Sequence, residues 1–173
     1  MSAIIIPFET QYLGEMKEIF FTSSTRRNFN DVEEKESFFY KYLGFYLRHY
    51  PELAWVAYDG KVSGYVVGSP VSHDDQLYAI QPHLQIFGPD LLHYPAHLHI
   101  NCHDEFRGKG IGKKLVLAFE KSLKDKKIHG LHIMTGVDSK NRSFYKNLGF
   151  IYEHVEVFHG SSILFMGKTL SPE

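Results

Sequence analysis

Apolar and polar positions alternate along this chain in short segments of changing period, and each change of period marks an expected element. "AIIIPF" (3–8) is an apolar run of strand length. In the segment after it, Leu13, Met16, Ile19 and Phe20 recur at helical spacing, with Thr10 placed to cap the helix. "DVEEKESFFYKYLGFYLRHY" (31–50) predicts a second helix: acids fill its first turn and Arg48 and His49 its last, the polarity a helix dipole favours, and Pro51 ends it. "LAWVAY" (53–58) and "KVSGYVVGS" (61–69) flank Asp59-Gly60, a pair suited to the positive φ angles of a two-residue hairpin turn.

Residues 70–95 hold four prolines and no sustained period, which predicts an irregular excursion with at most a short helix. Regular alternation resumes with strand "AHLHINC" (96–102), helix "IGKKLVLAFEKSLKDKK" (111–127), strand "LHIMTGV" (131–137) and short helix "NRSFYKNL" (141–148). Strands "FIYEHVEVF" (150–158) and "SILFMGK" (162–168) follow. A βαβα run predicts parallel strands with right-handed crossovers, and the terminal pair predicts an antiparallel edge. The expectation is one α/β domain over residues 1–173, with a mixed, twisted sheet of about seven strands flanked by about four helices.

Composition narrows the function. A length of 173 residues with 43% hydrophobic content suits one globular domain. With 19 basic and 20 acidic side chains the net charge is -1, so no overall field draws the chain to nucleic acid or to an anionic membrane. Cys102 is the only cysteine, which excludes an intramolecular disulfide. The N-terminal apolar run is too short for a signal peptide or a membrane span, and a cytoplasmic location is expected.

The chemistry concentrates in "FRGKGIGKKL" (106–115), where three glycines alternate between cations ahead of a helical pattern. A Walker loop is excluded, since Arg107 stands where its first glycine belongs and Lys114 replaces the hydroxyl that binds magnesium. The dinucleotide fingerprint fails as well, because Lys113 takes the third glycine's place and no initial βαβ unit carries it. Two readings are left: a solvent-exposed turn, or an anion cradle in which Gly108, Gly110 and Gly112 let bare N–H groups approach a pyrophosphate at a helix N-terminus.

This segment resembles the loop of the GCN5-related N-acetyltransferases (GNAT), Arg/Gln-x-x-Gly-x-Gly/Ala, through Arg107, Gly110 and Gly112. "NRSFYKNLGF" is similar to a second element of that family, with Asn141, Tyr145, Gly149 and Phe150 in place. The resemblance covers about residues 50–168. Within the family, "PAHLHI" ahead of the loop looks most like the acetyltransferase-like domains that accompany some O-GlcNAc hydrolases, which brings in a catalytically silent acyl-CoA-binding module as the alternative.

The resemblance implies that acetyl-CoA is held by Asn101, Cys102, Arg107, Gly108, Lys109, Gly110, Ile111, Gly112, Lys113, Asn141 and Tyr145. It further implies an acetyl group passed to a primary amine of a small molecule or peptide by direct attack in a ternary complex. Such an amine has a pKa of about 10.4, so roughly one in 2,500 is neutral at pH 7 and a base must take its proton. Tyr145 would serve the departing thiolate, since a phenol stays protonated at neutral pH. Phe144 and Leu148, four apart, are expected to face the core while Tyr145 lies about 100° away. Asn141 suits either the helix cap or the pantetheine arm, and Gly149 a left-handed helix terminator.

For the base, His97, His99 and Asn101 share one strand face with His103 beyond, and His99 is the candidate. In serotonin acetyltransferases a His-x-His pair on this strand sits one residue farther from the loop arginine, which reverses the strand face unless a bulge restores it. Cys102 falls on the residue whose backbone meets pantetheine, with a nucleophilic thiol as the less favoured role. His97-x-His99 with His103 and Asp104 superficially suggests a binuclear metal site. Asn101 and Cys102 break that pattern, and no metal is expected. In the excursion, Tyr78, His83, Phe87, His93 and Tyr94 suit a small polar or aromatic ligand, loop packing, or a homodimer contact.

Overall fold

The computed structural model describes residues 3–171; residues 1, 2, 172 and 173 of the expected domain lie outside the described residues. Among the described residues there are seven strands: β1 (Ile4–Pro7), β2 (Trp55–Tyr58), β3 (Val62–Ser69), β4 (Ala96–Cys102), β5 (Gly130–Gly136), β6 (Tyr152–Phe158) and β7 (Ser161–Thr169). They form one α/β mixed sheet in the order β1-β2-β3-β4-β5-β7-β6. β4 runs parallel to β5, while the β1/β2, β2/β3, β5/β7 and β6/β7 pairs are antiparallel. The α-helices are α1 (Leu13–Ser23), α2 (Val32–Phe39), α3 (Phe45–His49), α4 (Asp75–Ile80), α5 (Gly88–His93), α6 (Ile111–Asp125) and α7 (Arg142–Asn147). The chain divides into two compact units, one running to Gly68 and including His99–Ser122, the other holding Ser69–Leu98 and the residues from Leu123 onward.

In the first unit, Met16, Ile19 and Phe20 of α1 are buried as their spacing predicts. Thr10 is not the cap: it lies inside a 3-10 turn, Thr10–Tyr12, that displaces the start of α1 to Leu13, and neither start has a side-chain cap. Asp31 does cap α2, accepting from Glu34 N at 2.7 Å. The helix it opens is not uniform, because Tyr40–Gly44 forms a π turn before α3. The hairpin connection has three residues rather than two: the register pairs Tyr58 with Val62, and Gly60 takes a φ of 75° while Asp59 N donates to Lys61 O. A single left-handed glycine is what a three-residue loop needs. Along α6, Ile111, Leu115, Val116 and Phe119 are buried at helical spacing. Each such side chain contributes about 1.5–3 kcal/mol of transfer free energy.

In the second unit, the excursion is helical, contrary to expectation: α4, a 3-10 turn Pro82–Phe87, and α5. Asp74 caps α4 by accepting from Gln76 N at 2.9 Å and Leu77 N at 3.0 Å. Pro82 and Pro89 sit in the first turns of their helices, where a missing N–H costs nothing, so they start elements instead of breaking them. Leu77, Leu84, Phe87 and Leu91 are buried.

Candidate functional site

The glycine loop is built from the end of β4. His103 N donates to Ser63 O at 3.0 Å, and a 3-10 turn over Asp104–Phe106 leads to Arg107, whose backbone is extended. Gly108 and Gly110 then take φ angles of 75° and 78°, and α6 begins at Ile111. A Cβ on either glycine would meet nothing within 4 Å, so the requirement is conformational and no protein atom is in the way. A side chain in this left-handed region costs about 1–2 kcal/mol. Arg107 pairs with Asp104 at 2.8 Å, and the ammonium groups of Lys61 and Lys109 lie 5.2 and 5.0 Å from the centre of the Phe106 ring. Cations, two glycine backbones and the positive end of a 15-residue helix fit a bound anion.

Along β4 the histidines have different surroundings. His97 is buried in the second unit, its Nδ1 2.5 Å from Ser72 Oγ and its ring 5.5 Å from that of His132. His99 is half-buried in the first unit, with Nε2 3.0 Å from the hydroxyl of the fully buried Tyr46. The rings of Tyr46 and Tyr42 lie 5.0 and 5.7 Å from the His99 ring. Tyr42 belongs to the π turn and Tyr46 follows it, so the extra residue of that turn sets how both meet His99. His103 is turned to its own loop, where Nδ1 accepts from Glu105 N at 3.3 Å.

Asn101 Nδ2 donates to the hydroxyl of Tyr65 at 2.8 Å, and burial holds that phenol well above the usual range. Burial also pushes the Cys102 thiol up to about 11, against a smaller opposing pull from Arg107. A thiol so raised is mostly protonated at neutral pH, where the thiolate is the nucleophilic form. A Cβ on Gly64 would lie 3.0 Å from both Asn101 O and Cys102 Sγ, so the close approach of β3 to this end of β4 requires glycine.

In the second unit, Asn141 precedes α7 with helical dihedrals and makes no capping bond; its Oδ1 accepts from Thr135 Oγ1 at 3.1 Å. Tyr145 is the buried residue of α7, packed 5.5 Å from Phe150, while Phe144 and Leu148 are half-buried. That reverses the expected facing. The Tyr145 carbonyl accepts from both Leu148 N and Phe150 N, and this tight exit folds Phe150 back against the tyrosine ring. Gly149, at a φ of 90°, ends the helix as expected.

Of the excursion's aromatics, Phe87 is in the core, and Tyr78 places its hydroxyl 2.6 Å from His73 Nδ1. Tyr42, Tyr46 and Tyr65 carry no local signal in the sequence of what their hydroxyls meet inside apolar helices and strands, nor does Ser72 in the bend between β3 and α4. Among the described residues, no three or more His, Cys, Asp or Glu are grouped to hold a metal ion, and no helix is long and apolar enough to cross a membrane.

Residues 51–152 match the family model of the acetyltransferase (GNAT) domain. The match spans more than half of the chain, which therefore belongs to the GNAT acetyltransferases. No curated protein matches the sequence. Among solved structures, the chain is similar to SsHAT, with a TM-score of 0.78 and 21% identity over 99% of this chain and 100% of that one. Ard1 from Thermoplasma volcanium gives 0.69 and 18% over 99% of both chains. YncA from Salmonella typhimurium, a putative acetyltransferase solved with its cofactor acetyl-CoA, gives 0.64 and 14% over 100% of this chain and 96% of its own. At these identities the likeness speaks for the fold alone.

Proposed function

We propose that this chain is an acetyl-CoA-dependent N-acetyltransferase, acting in the cytoplasm as one catalytic domain on the primary amine of a small molecule or peptide. The observation that carries this reading is the pair of left-handed glycines, Gly108 and Gly110, set between Arg107 and the head of α6 inside the segment that matches the family. Acetyl-CoA supplies the acetyl group as a thioester. The N–H groups of residues 108–113, with Arg107, Lys109 and Lys113, would hold its pyrophosphate. Asn101, Cys102 and Asn141 would meet the pantetheine arm.

The acceptor amine attacks the thioester carbonyl in a ternary complex, so a C–N bond forms and the C–S bond breaks. His99 accepts the amine's proton, and Tyr145 donates to the departing thiolate. The hydroxyl of Tyr46 supports the His99 assignment, because it gives the imidazole a fixed orientation.

A second reading is an acyl-CoA-binding module without turnover, in keeping with the likeness to domains that accompany some O-GlcNAc hydrolases. Its support is His97, which is committed to Ser72 in the core and so gives no second base. Calorimetric titration with acetyl-CoA, followed by mass spectrometry after an amine panel is added, separates the two. Amine-dependent loss of the acetyl group supports the enzyme, and saturable binding without loss supports the module.

A further inference from the structure

Strand β6 ends the sheet order, and no proline, lysine or register break interrupts the open edge of its seven residues. Ile151, Val155 and Val157 are 81%, 48% and 62% exposed, a concentration of surface apolar side chains in one short segment. Natural edges are shielded by unpaired charge, bulges or proline; on β6 Glu153 is paired with Arg142 and Glu156 with His154, which leaves the edge a template for another strand.

The parity of the strand fixes which groups are on offer. The turn at His159 and Gly160 has positive φ at both residues, so Phe158 and Ser161 close a two-residue hairpin as a hydrogen-bonded pair. Counting back by two, Phe158, Glu156, His154 and Tyr152 direct their N–H and C=O groups to β7, and Glu153, Val155 and Val157 direct theirs to the open edge.

We infer that this edge is the interface of a homodimer, two copies of β6 pairing antiparallel about a two-fold axis at Val155. The sequence "YEHVEVF" is self-complementary about that point. Val155 faces its own counterpart, as the hydrogen-bonding parity allows. His154 of each copy lies opposite Glu156 of the other, with the Glu156 of its own chain 3.2 Å from its Nε2, while Tyr152 lies opposite Phe158 and Glu153 opposite Val157, so each of these three pairs occurs twice. Glu153, the remaining acid, is already neutralised by Arg142 at 2.6 Å and Lys146 at 3.4 Å, so it brings no unpaired charge to the second copy. His154 is held from behind by Asp90 of α5, which keeps the ring on this face of the strand. The inference is independent of the acetyltransferase reading, because none of these residues belongs to the proposed machinery.

Sedimentation across a dilution series tests it. The chain is expected at twice its 20.0 kDa mass. Val155→Lys puts two like charges on the axis and is expected to halve the mass with the circular dichroism spectrum and cooperative unfolding retained. Ile4→Lys, on the opposite sheet edge, leaves the dimer intact. In a second test, Val155→Cys treated with a short bismaleimide gives a crosslinked dimer that Val157→Cys and the wild type do not give, the linker spanning a hydrogen-bonded pair whose Cβ atoms are too far apart for an unstrained disulfide. A wild-type monomer throughout, a dimer that survives Val155→Lys, or the absence of crosslinking at residue 155 would overturn the interface.

Discussion

The imidazole of His132 lies on the ring of Phe165, centroids 4.4 Å apart and planes 20° from parallel, with its Nδ1 2.6 Å from the carbonyl oxygen of Tyr94. Burial lowers its pKa from 6.5 to about 4, outweighing the Tyr94 bond, which favours the protonated form. A histidine kept neutral by the fold stabilises it fully above the unfolded pKa and progressively less as pH falls. Stability should therefore decline from pH 6.5 to 4, by on the order of 3 kcal/mol if this group acts alone. Denaturant unfolding at several pH values checks it, and His132→Leu should flatten that acid limb.

His154 should act with the opposite sign. Asp90, 2.6 Å from its Nδ1, raises its pKa through a hydrogen bond, and Glu156 adds a smaller pull. Its contribution is present below pH 6.5 and is lost as pH rises through the raised value. His154→Gln should remove this alkaline decline in the same unfolding series and leave the acid limb of His132 unchanged.

Replacing Gly108 or Gly110 by alanine should weaken acetyl-CoA binding about tenfold or more, because each left-handed backbone would cost about 1–2 kcal/mol and drift from the anion. Calorimetric affinity with an unfolding curve for each variant separates lost binding from lost fold.

Two side chains carry the proposed proton movements. Tyr145→Phe keeps the ring packed on Phe150 and removes only the hydroxyl. It should lower kcat by about 10²-fold with KM nearly unchanged, while His99→Gln should remove the ionisation of the base from the pH–rate profile. Steady-state kinetics across pH is the check, and full activity in either variant would remove that residue from the mechanism.

Cys102 should resist alkylation. With its thiol pushed up to about 11 by burial, its thiolate fraction at pH 7 is on the order of one in ten thousand. Iodoacetamide labelling followed by intact-mass measurement should be slow in the folded protein and fast in denaturant, and no acetylated Cys102 should accumulate during turnover.

Helices α1 and α6 were legible because each buries one face over enough residues to impose a period, α6 with Ile111, Leu115 and Phe119 being the clearest case, while β3, buried at every residue, was legible as an apolar run beside a turn. The glycine loop was legible because two left-handed backbones in close succession strongly favour glycine. The excursion was not, since Pro82 and Pro89 read as breakers without the knowledge that they open helical turns. Nor was the facing of Tyr145, for a six-residue helix is oriented by its exit, here Phe150, more than by its own period. The partners of His97 and His99 come from Ser72 and Tyr46, 25 and 53 residues away, a distance over which local pattern carries nothing.

The central claim is best tested by calorimetric titration of the purified chain with acetyl-CoA, with mass spectrometry of the same samples after an amine panel is added. Saturable binding, with acetyl transfer that depends on the amine, is the predicted result. No binding of acetyl-CoA would contradict the account and leave Gly108 and Gly110 as the glycines of a turn.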